Sequence, residues 1–316
     1  MTIKILDRLT MGEDIDFSPL EALGKVEIFD STEKDELASR VADADIVILN
    51  KVRIDRSLIK AMRQTKLICV FATGYDNIDV KSAKEYGIAV ANVPGYSTES
   101  VTLHTVATVL YLISHLGEYR EHVASGAYTS FGVSNMLAPV YHELYGKTWG
   151  IIGYGNIGKR VADIAKAFGS RALYTRKNAD GAENCVDLDT LLCESDVVTV
   201  HCPLNESTVG LISSEKISLM KKSAVFVNEA RGAVVDEYAV AAAVRDGKIS
   251  GFGCDVYSVE PFSEKHPYYA IKDYRNVALT PHCAWAAFEA RKRCLDVICE
   301  NIKAYMNGKI KNRVDI

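Results

Sequence analysis

Short apolar runs rich in β-branched residues alternate with stretches of helical periodicity through the first hundred residues. The runs cover residues 3–6, 26–30, 46–50, 67–73 and 89–93, and they read as strands of a parallel sheet. Residues 57–63 and 80–87 place their apolar side chains on one side of a short helix, and Gly87 supplies a stop. From Thr98 to about Val123, Val101, Val106, Val109, Leu110, Ile113 and Leu116 recur at helical spacing, predicting one long helix that leads out of the first domain. A loop-rich passage with Gly126, Gly132, Pro139 and several tyrosines follows. Alternation then resumes, with strands predicted at 148–152, 171–174, 197–201, 224–228, 251–255 and 277–279. Two α/β sheets are the expectation, the second of about six strands.

Length agrees, since 316 residues exceed what a single core of ~100 to 200 residues usually serves. The hydrophobic share of 48% against 25% charged residues is that of a chain with a substantial core. A formal net charge of −4 without long runs of like charge argues against a nucleic-acid partner. No apolar stretch approaches the ~20 residues that cross a bilayer, and Met1-Thr-Ile-Lys-Ile-Leu-Asp7 reads as a strand rather than a signal peptide, so a cytoplasmic protein with no membrane partner is expected. The eight cysteines contain no C-x-x-C pair and are read as reduced, buried fillers. Cys202 beside His201 and Cys283 beside His282 suggest a metal, but neighbours on a strand point to opposite faces, so no metal is expected.

The first chemical motif is Gly153-Tyr154-Gly155-Asn156-Ile157-Gly158. It follows the apolar run at 149–152 and opens a helix with Ile157, Val161, Ile164, Ala165 and Phe168 on one side. A glycine triplet alone is weak, since turns need glycine. In a strand-turn-helix context its first member permits the turn, the second admits a pyrophosphate to the backbone, and the third lets helix and strand pack. Unpaired amides at the helix start would bind the phosphates. About twenty residues later, where an acid usually holds the adenosine ribose of NAD, the chain reads Thr175-Arg176-Lys177. Two cations and no carboxylate favour NADP over NAD; the alternative is a pair of solvated turn residues.

Three later segments each set a charged residue after an apolar strand, where open α/β sheets bind ligands: Asn228-Glu229-Ala230-Arg231-Gly232, Asp255 to Glu260-Pro261, and Thr280-Pro281-His282. Arginine, glutamate and histidine in that order behind a dinucleotide loop resemble the D-isomer-specific 2-hydroxyacid dehydrogenase family. The resemblance runs over nearly the whole chain and takes in His201-Cys202-Pro203-Leu204 with Thr208, Asp255-Val256, and Ala72-Thr73-Gly74 through Asn77 and Asp79. Asn50-Lys51-Val52, Pro94-Gly95-Tyr96-Ser97 and Thr280 to Trp285 look most like its glycerate dehydrogenase (hydroxypyruvate reductase) branch. Two positions depart from the pattern: Glu229 replaces the usual small residue or threonine, and Leu103 an expected polar one.

The resemblance implies two doubly wound parallel-sheet α/β domains. One is a flavodoxin-like substrate domain over 1–99 plus 285–316, the other a Rossmann dinucleotide-binding domain over 100–284. It implies that Arg231 binds the substrate carboxylate and polarises the carbonyl, that His282 is the acid-base group, and that Glu260 orients its ring. Lys51 and the amides of Thr73 and Gly74 would help hold the substrate, with the domains closing over it. Besides the glycine loop and Thr175-Arg176-Lys177, the cofactor would touch Thr105, His201, Cys202, Pro203, Thr208, Ala230 and Asp255, the last at the nicotinamide carboxamide. Asn77 and Asp79 look like loop-fixing residues. His104, His115, His122, His142 and His266 are read as surface or packing residues. A small 2-oxo or 2-hydroxy acid is the implied substrate, hydroxypyruvate or glyoxylate foremost, and a homodimer through the long helix is the implied assembly. Reduction of another 2-oxo acid, or a dinucleotide-sensing scaffold, are the competing readings.

Overall fold

The computed structural model describes residues 1–178 and 181–316. The chain divides into two compact units, Met1–Ser97 with Ala286–Ile316, and Thr98–Trp285.

The first unit is a five-stranded parallel sheet of β1 (Thr2–Ile5), β2 (Lys25–Ile28), β3 (Ile46–Leu49), β4 (Leu67–Val70) and β5 (Ala89–Ala91), in the order β2-β1-β3-β4-β5. That is the flavodoxin-like doubly wound order. β3 and β4 are buried at every position, as the continuous apolar runs Ile-Val-Ile-Leu and Leu-Ile-Cys-Val require when helices cover both faces. Helices α1 (Leu37–Val41), α2 (Arg56–Ala61) and α3 (Val80–Glu85) connect the strands. Asp55 and Asp79 cap α2 and α3 by accepting from Leu58 N and Ser82 N. The C-terminal helix, Phe288–Met306, completes this unit, where Asn301 Nδ2 donates to the Asn92 carbonyl and Val90 N to Asp315.

The second unit begins with α4 (Thr98–Ile113) and α5 (Leu116–Ala124) in place of the single helix expected from periodicity. The two meet at a 65° bend. His115 sits there in the left-handed region at φ 50° and turns its Nδ1 to Glu118, with Gly117 following inside the first turn of α5. Six parallel strands follow: β6 (Thr148–Ile152), β7 (Arg171–Thr175), β8 (Val197–Val200), β9 (Val225–Asn228), β10 (Gly251–Cys254) and β11 (Val277–Leu279). Their order is β11-β10-β9-β8-β6-β7. Helices α6 (Asn156–Ala167), α7 (Leu188–Glu194), α8 (Ser214–Ser218) and α9 (Glu237–Arg245) join them. The chain moves outward from β6 to β7 and then returns to β8 on the other side of β6. This reversal opens a crevice at the carboxyl ends of β6 and β8, the place where such sheets bind ligands.

Apolar clusters fill both faces of this sheet, one around Phe226, Phe252 and Tyr268, the other around Trp149, Val161 and Tyr174. Among the described residues no single helix is long and apolar enough to cross a membrane. All eight cysteines are free, but Cys193 and Cys283 are exposed, which corrects the expectation of uniformly buried fillers.

Candidate active site

The glycine loop lies at the carboxyl end of β6. Gly153 has φ 97°, and a Cβ there would stand 2.6 Å from the amide nitrogen of Cys202, so the turn tolerates no side chain. A Cβ on Gly158 would come within 2.1 Å of the Gly153 carbonyl oxygen, so the third glycine lets α6 close onto the turn. Gly155 differs: its Cβ would meet no described atom within 4 Å. It is also the N-cap of α6 without a side-chain acceptor, which leaves the first amides of a twelve-residue helix without intrahelical partners. Open space at the second glycine beside unpaired amides fits a dinucleotide pyrophosphate, with Gly153, Gly155, Asn156, Ile157 and Gly158 supplying backbone. Tyr154 contributes differently, its ring stacking on Tyr174 of β7 at 3.6 Å and pinning the loop.

Around this loop, Thr175 ends β7 and its carbonyl accepts from Gly153 N at 3.0 Å, while Arg176 and Lys177 are exposed beyond it. β8 stops at Val200, one residue short of the expected 197–201, and His201 and Cys202 follow it against Gly153. Both His201 ring nitrogens are closed off from solvent, and burial pushes the imidazole down to about 3. The ring is therefore neutral and a packing element. Burial likewise pushes the Cys202 thiol up to about 11. Thr208 ties its loop together, its hydroxyl donating to the Pro203 carbonyl at 2.6 Å. Thr105 is fully buried, its hydroxyl donating to Val101 O at 2.7 Å and to Glu229 at 3.2 Å.

Arg231, Glu260 and His282 follow β9, β10 and β11, three adjacent parallel strands. Neighbouring strands lie about 4.8 Å apart, so their carboxyl-terminal loops stand side by side. His282 Nδ1 and Glu260 Oε2 are 2.6 Å apart, and Glu260 Oε1 accepts from Tyr257 N at 2.9 Å. His282 itself has φ 54°, and Trp285 Nε1 donates to its carbonyl at 3.0 Å. Asn228 shapes the arginine turn: its Nδ2 donates to Arg231 O and its Oδ1 accepts from Ala230 N. A guanidinium nitrogen of Arg231 donates to the Ala230 carbonyl at 2.7 Å. Gly232 then packs so tightly on the backbone of Tyr257 and Ser258 that a Cβ would stand 2.0 Å from Tyr257 C, which locks the arginine turn to the loop carrying Glu260.

Asp255 is buried, and its carboxylate accepts from the Thr280 hydroxyl at 2.6 Å and from the amides of Cys283 and Ala284, both at 2.8 Å. It thus fixes the segment that bears His282, a role the sequence did not disclose. Two more buried carboxylates escaped sequence reasoning. Glu237, at the start of α9, accepts from Ser258 N at 2.9 Å, from the Ser258 hydroxyl and from His266 Nε2 at 3.0 Å, and so braces the Glu260 loop from behind. Glu229 takes His104 Nδ1 at 2.8 Å and the hydroxyls of Thr105 and Thr108. His104 and His266, expected to be surface or packing residues, are the partners of these acids. Only the oddity of Glu229 in the arginine segment was a signal.

In the other unit, Lys51 is exposed on a loop whose amides at Asn50, Lys51 and Val52 donate to the buried carboxylate of Asp7. Burial raises the Asp7 carboxyl and those amides oppose the rise. Thr73 donates its hydroxyl to Val93 O, while the amides of Thr73 and Gly74 donate to no other described residue. Asn77 Nδ2 bridges the carbonyls of Asn50 and Val52, the loop-fixing part expected of it.

Residues 106–284 match the family model described as D-isomer specific 2-hydroxyacid dehydrogenase, NAD binding domain. The chain is 37% identical over 324 aligned residues, all of both chains, to a hydroxypyruvate reductase of Blautia hydrogenotrophica. It is 36% identical to a glycerate dehydrogenase of Methylorubrum extorquens, covering 89% of this chain and 88% of that one. Among solved structures, D-lactate dehydrogenase from Aquifex aeolicus, complexed with NAD and lactic acid, superposes with a TM-score of 0.88 at 29% identity, over 100% of this chain and 99% of that one.

Proposed function

Because the chain belongs to the D-isomer-specific 2-hydroxyacid dehydrogenase family, and is a nicotinamide-dependent enzyme of that class, we propose that its substrates are hydroxypyruvate and glyoxylate, reduced to D-glycerate and glycolate. The observation that carries the catalytic part is the 2.6 Å pair of His282 and Glu260 on the loop locked to Arg231. Arg231 pairs with the substrate carboxylate and polarises its carbonyl, a geometry that a planar guanidinium provides and an ammonium does not. His282 gives the carbonyl oxygen a proton; since Nδ1 faces Glu260, the proton that moves is the one on Nε2. Glu260 holds the ring in that orientation. The cofactor, when bound on the glycine loop, supplies the hydride. Lys51 and the amides of Thr73 and Gly74 are assigned to substrate binding, the two amides being available for a carboxylate.

The proposal includes a preference for NADP over NAD through Arg176 and Lys177, and a cytoplasmic homodimer. Support for the dimer is the exposed apolar surface on α4, α5 and the loop after them, with Leu103, Leu116, Leu137 and Val140 all more than half exposed. Purified protein offered NADPH or NADH with a panel of 2-oxo acids tests the function. Hydroxypyruvate or glyoxylate should give the highest kcat/KM, and a preference for pyruvate or a branched acid refutes the assignment. Sedimentation at the mass of a single 34.7 kDa chain would remove the dimer.

A further inference from the structure

We propose that His104, Asp255 and Cys283 form a binding site for a zinc-class divalent cation. The three side chains come from α4, the turn after β10 and the turn after β11, and their ligand atoms lie within 4.8 Å of one another. Cys283 Sγ and His104 Nε2 are 3.9 Å apart although 179 positions separate the residues. With Zn–S of about 2.3 Å and Zn–N of about 2.0 Å, tetrahedral coordination brings such a pair to about 3.5 Å, a closure of a few tenths of an ångström. The adjacent pairs Cys202–His201 and Cys283–His282 offered the wrong partners; the thiol meets a histidine from another element.

The surroundings of these atoms match what a metal-binding imidazole needs. Glu229 Oε1 accepts from His104 Nδ1 at 2.8 Å, which sets the tautomer, leaves Nε2 as the donor atom and raises its basicity. The hydroxyls of Thr105 and Thr108 hold Glu229 in turn. Asp255 is aimed by Thr280 Oγ1 and Cys283 N on one oxygen and by Ala284 N on the other, and the Cys283 thiol also hydrogen-bonds to this carboxylate, a proton that a bound cation would replace. A dication relieves the crowding of acids and displaces the thiol proton, the fourth position being left to water.

Cobalt(II) titrated into the metal-free full-length protein reads the site without reference to turnover, so it stands or falls apart from the dehydrogenase assignment. Expected are a thiolate-to-cobalt charge-transfer band and tetrahedral ligand-field bands that saturate at one equivalent. C193S, at the other exposed cysteine, retains them, and E229Q weakens affinity 10- to 100-fold. C283S removes the charge-transfer band; because that side chain is exposed, the variant keeps the wild-type circular dichroism. Absence of the band in wild type, or its survival in C283S, overturns the site. A consequence for activity rests on the cofactor reading, in which Asp255 serves the nicotinamide carboxamide. Zinc then inhibits, a chelator restores activity, and C283S tolerates at least ten-fold more zinc. Equal inhibition of both proteins would overturn that regulatory role.

Discussion

Replacing Gly155 by alanine separates ligand binding from folding at a single backbone position. The residue has φ −84° and ψ −159°, an ordinary extended conformation, and its Cβ has open space to 4 Å. Alanine is a poorer N-cap than glycine by up to ~1 kcal/mol, while the loss of freedom in the unfolded chain returns about 0.4–1 kcal/mol. The two nearly cancel, so Tm should stay within about 2 °C of wild type for a unit of this size. The added methyl group instead fills the space through which a pyrophosphate reaches the amides of α6. Losing one hydrogen bond to a charged oxygen costs about 1.5–3 kcal/mol, which weakens binding roughly 10- to 100-fold. Gly158→Ala is the contrast. Its Cβ would stand 2.1 Å from the Gly153 carbonyl oxygen, so helix and turn must separate, at about 1–3 kcal/mol or more and several degrees in Tm. Fluorescence titration with NADPH and a thermal melt measure both variants. Wild-type affinity in Gly155→Ala would show that the phosphates do not cross this backbone, and the dinucleotide assignment of the loop would fail.

Three other outcomes are expected. Glu260→Gln loses the charge-assisted bond to His282 at 2.6 Å, worth about 1.5–3 kcal/mol, so kcat should fall about 10- to 100-fold with the KM for reduced cofactor unchanged; a fall in cofactor affinity alone would contradict an orienting role. Thr175→Asp puts a carboxylate at the end of β7 and should lower the NADPH:NADH ratio of kcat/KM at least ten-fold, whereas an unchanged ratio would show that Arg176 and Lys177 do not read a 2′-phosphate. His201, pushed by burial from 6.5 to about 3, takes up its proton more readily in the unfolded chain; stability is therefore complete above about pH 6.5 and declines as pH falls towards 3, by at most roughly 1.4 kcal/mol per unit. Urea denaturation at pH 7 and pH 5 should show His201→Gln losing about 2 kcal/mol less than wild type over that interval, and equal losses would mean that the ring is solvated.

What was legible in the sequence is what lies close together along it. β4, β8 and β9 are buried at every position because both faces are covered, and read as nearly continuous apolar runs, so their existence was plain, and only ends such as 67–73, which stops at Val70, were misplaced. The glycine loop was readable because turn, strand and helix are contiguous. Arg231, Glu260 and His282 were readable for another reason: each follows its own strand, and a parallel sheet delivers every carboxyl end to one rim. The bend at His115 was missed, since histidine carries no stop signal, an isolated glycine such as Gly117 is tolerated within a helical pattern, and the conformation depends on Glu118.

The buried acids behind the site were invisible on stricter grounds. Glu229 meets His104 across 125 positions, Glu237 meets His266 across 29, and Asp7 meets the Lys51 amide across 44. Nothing local demands any of these partners; each pairing exists only once strand order and register have brought two distant segments to the same rim. A buried carboxylate without donors is costly, so each of these acids needs its partners as much as the loops need the acid. The groups proposed to react are thus motif-borne, whereas the groups that hold them are topology-borne. Glu229 is the exception that links the two classes. It sits inside a recognisable motif and departs from it, and the departure is explained by His104 at 2.8 Å with Cys283 beyond it. A residue too polar for its place in a buried motif must hold a partner, because the desolvation of a lone acid forbids it from holding nothing.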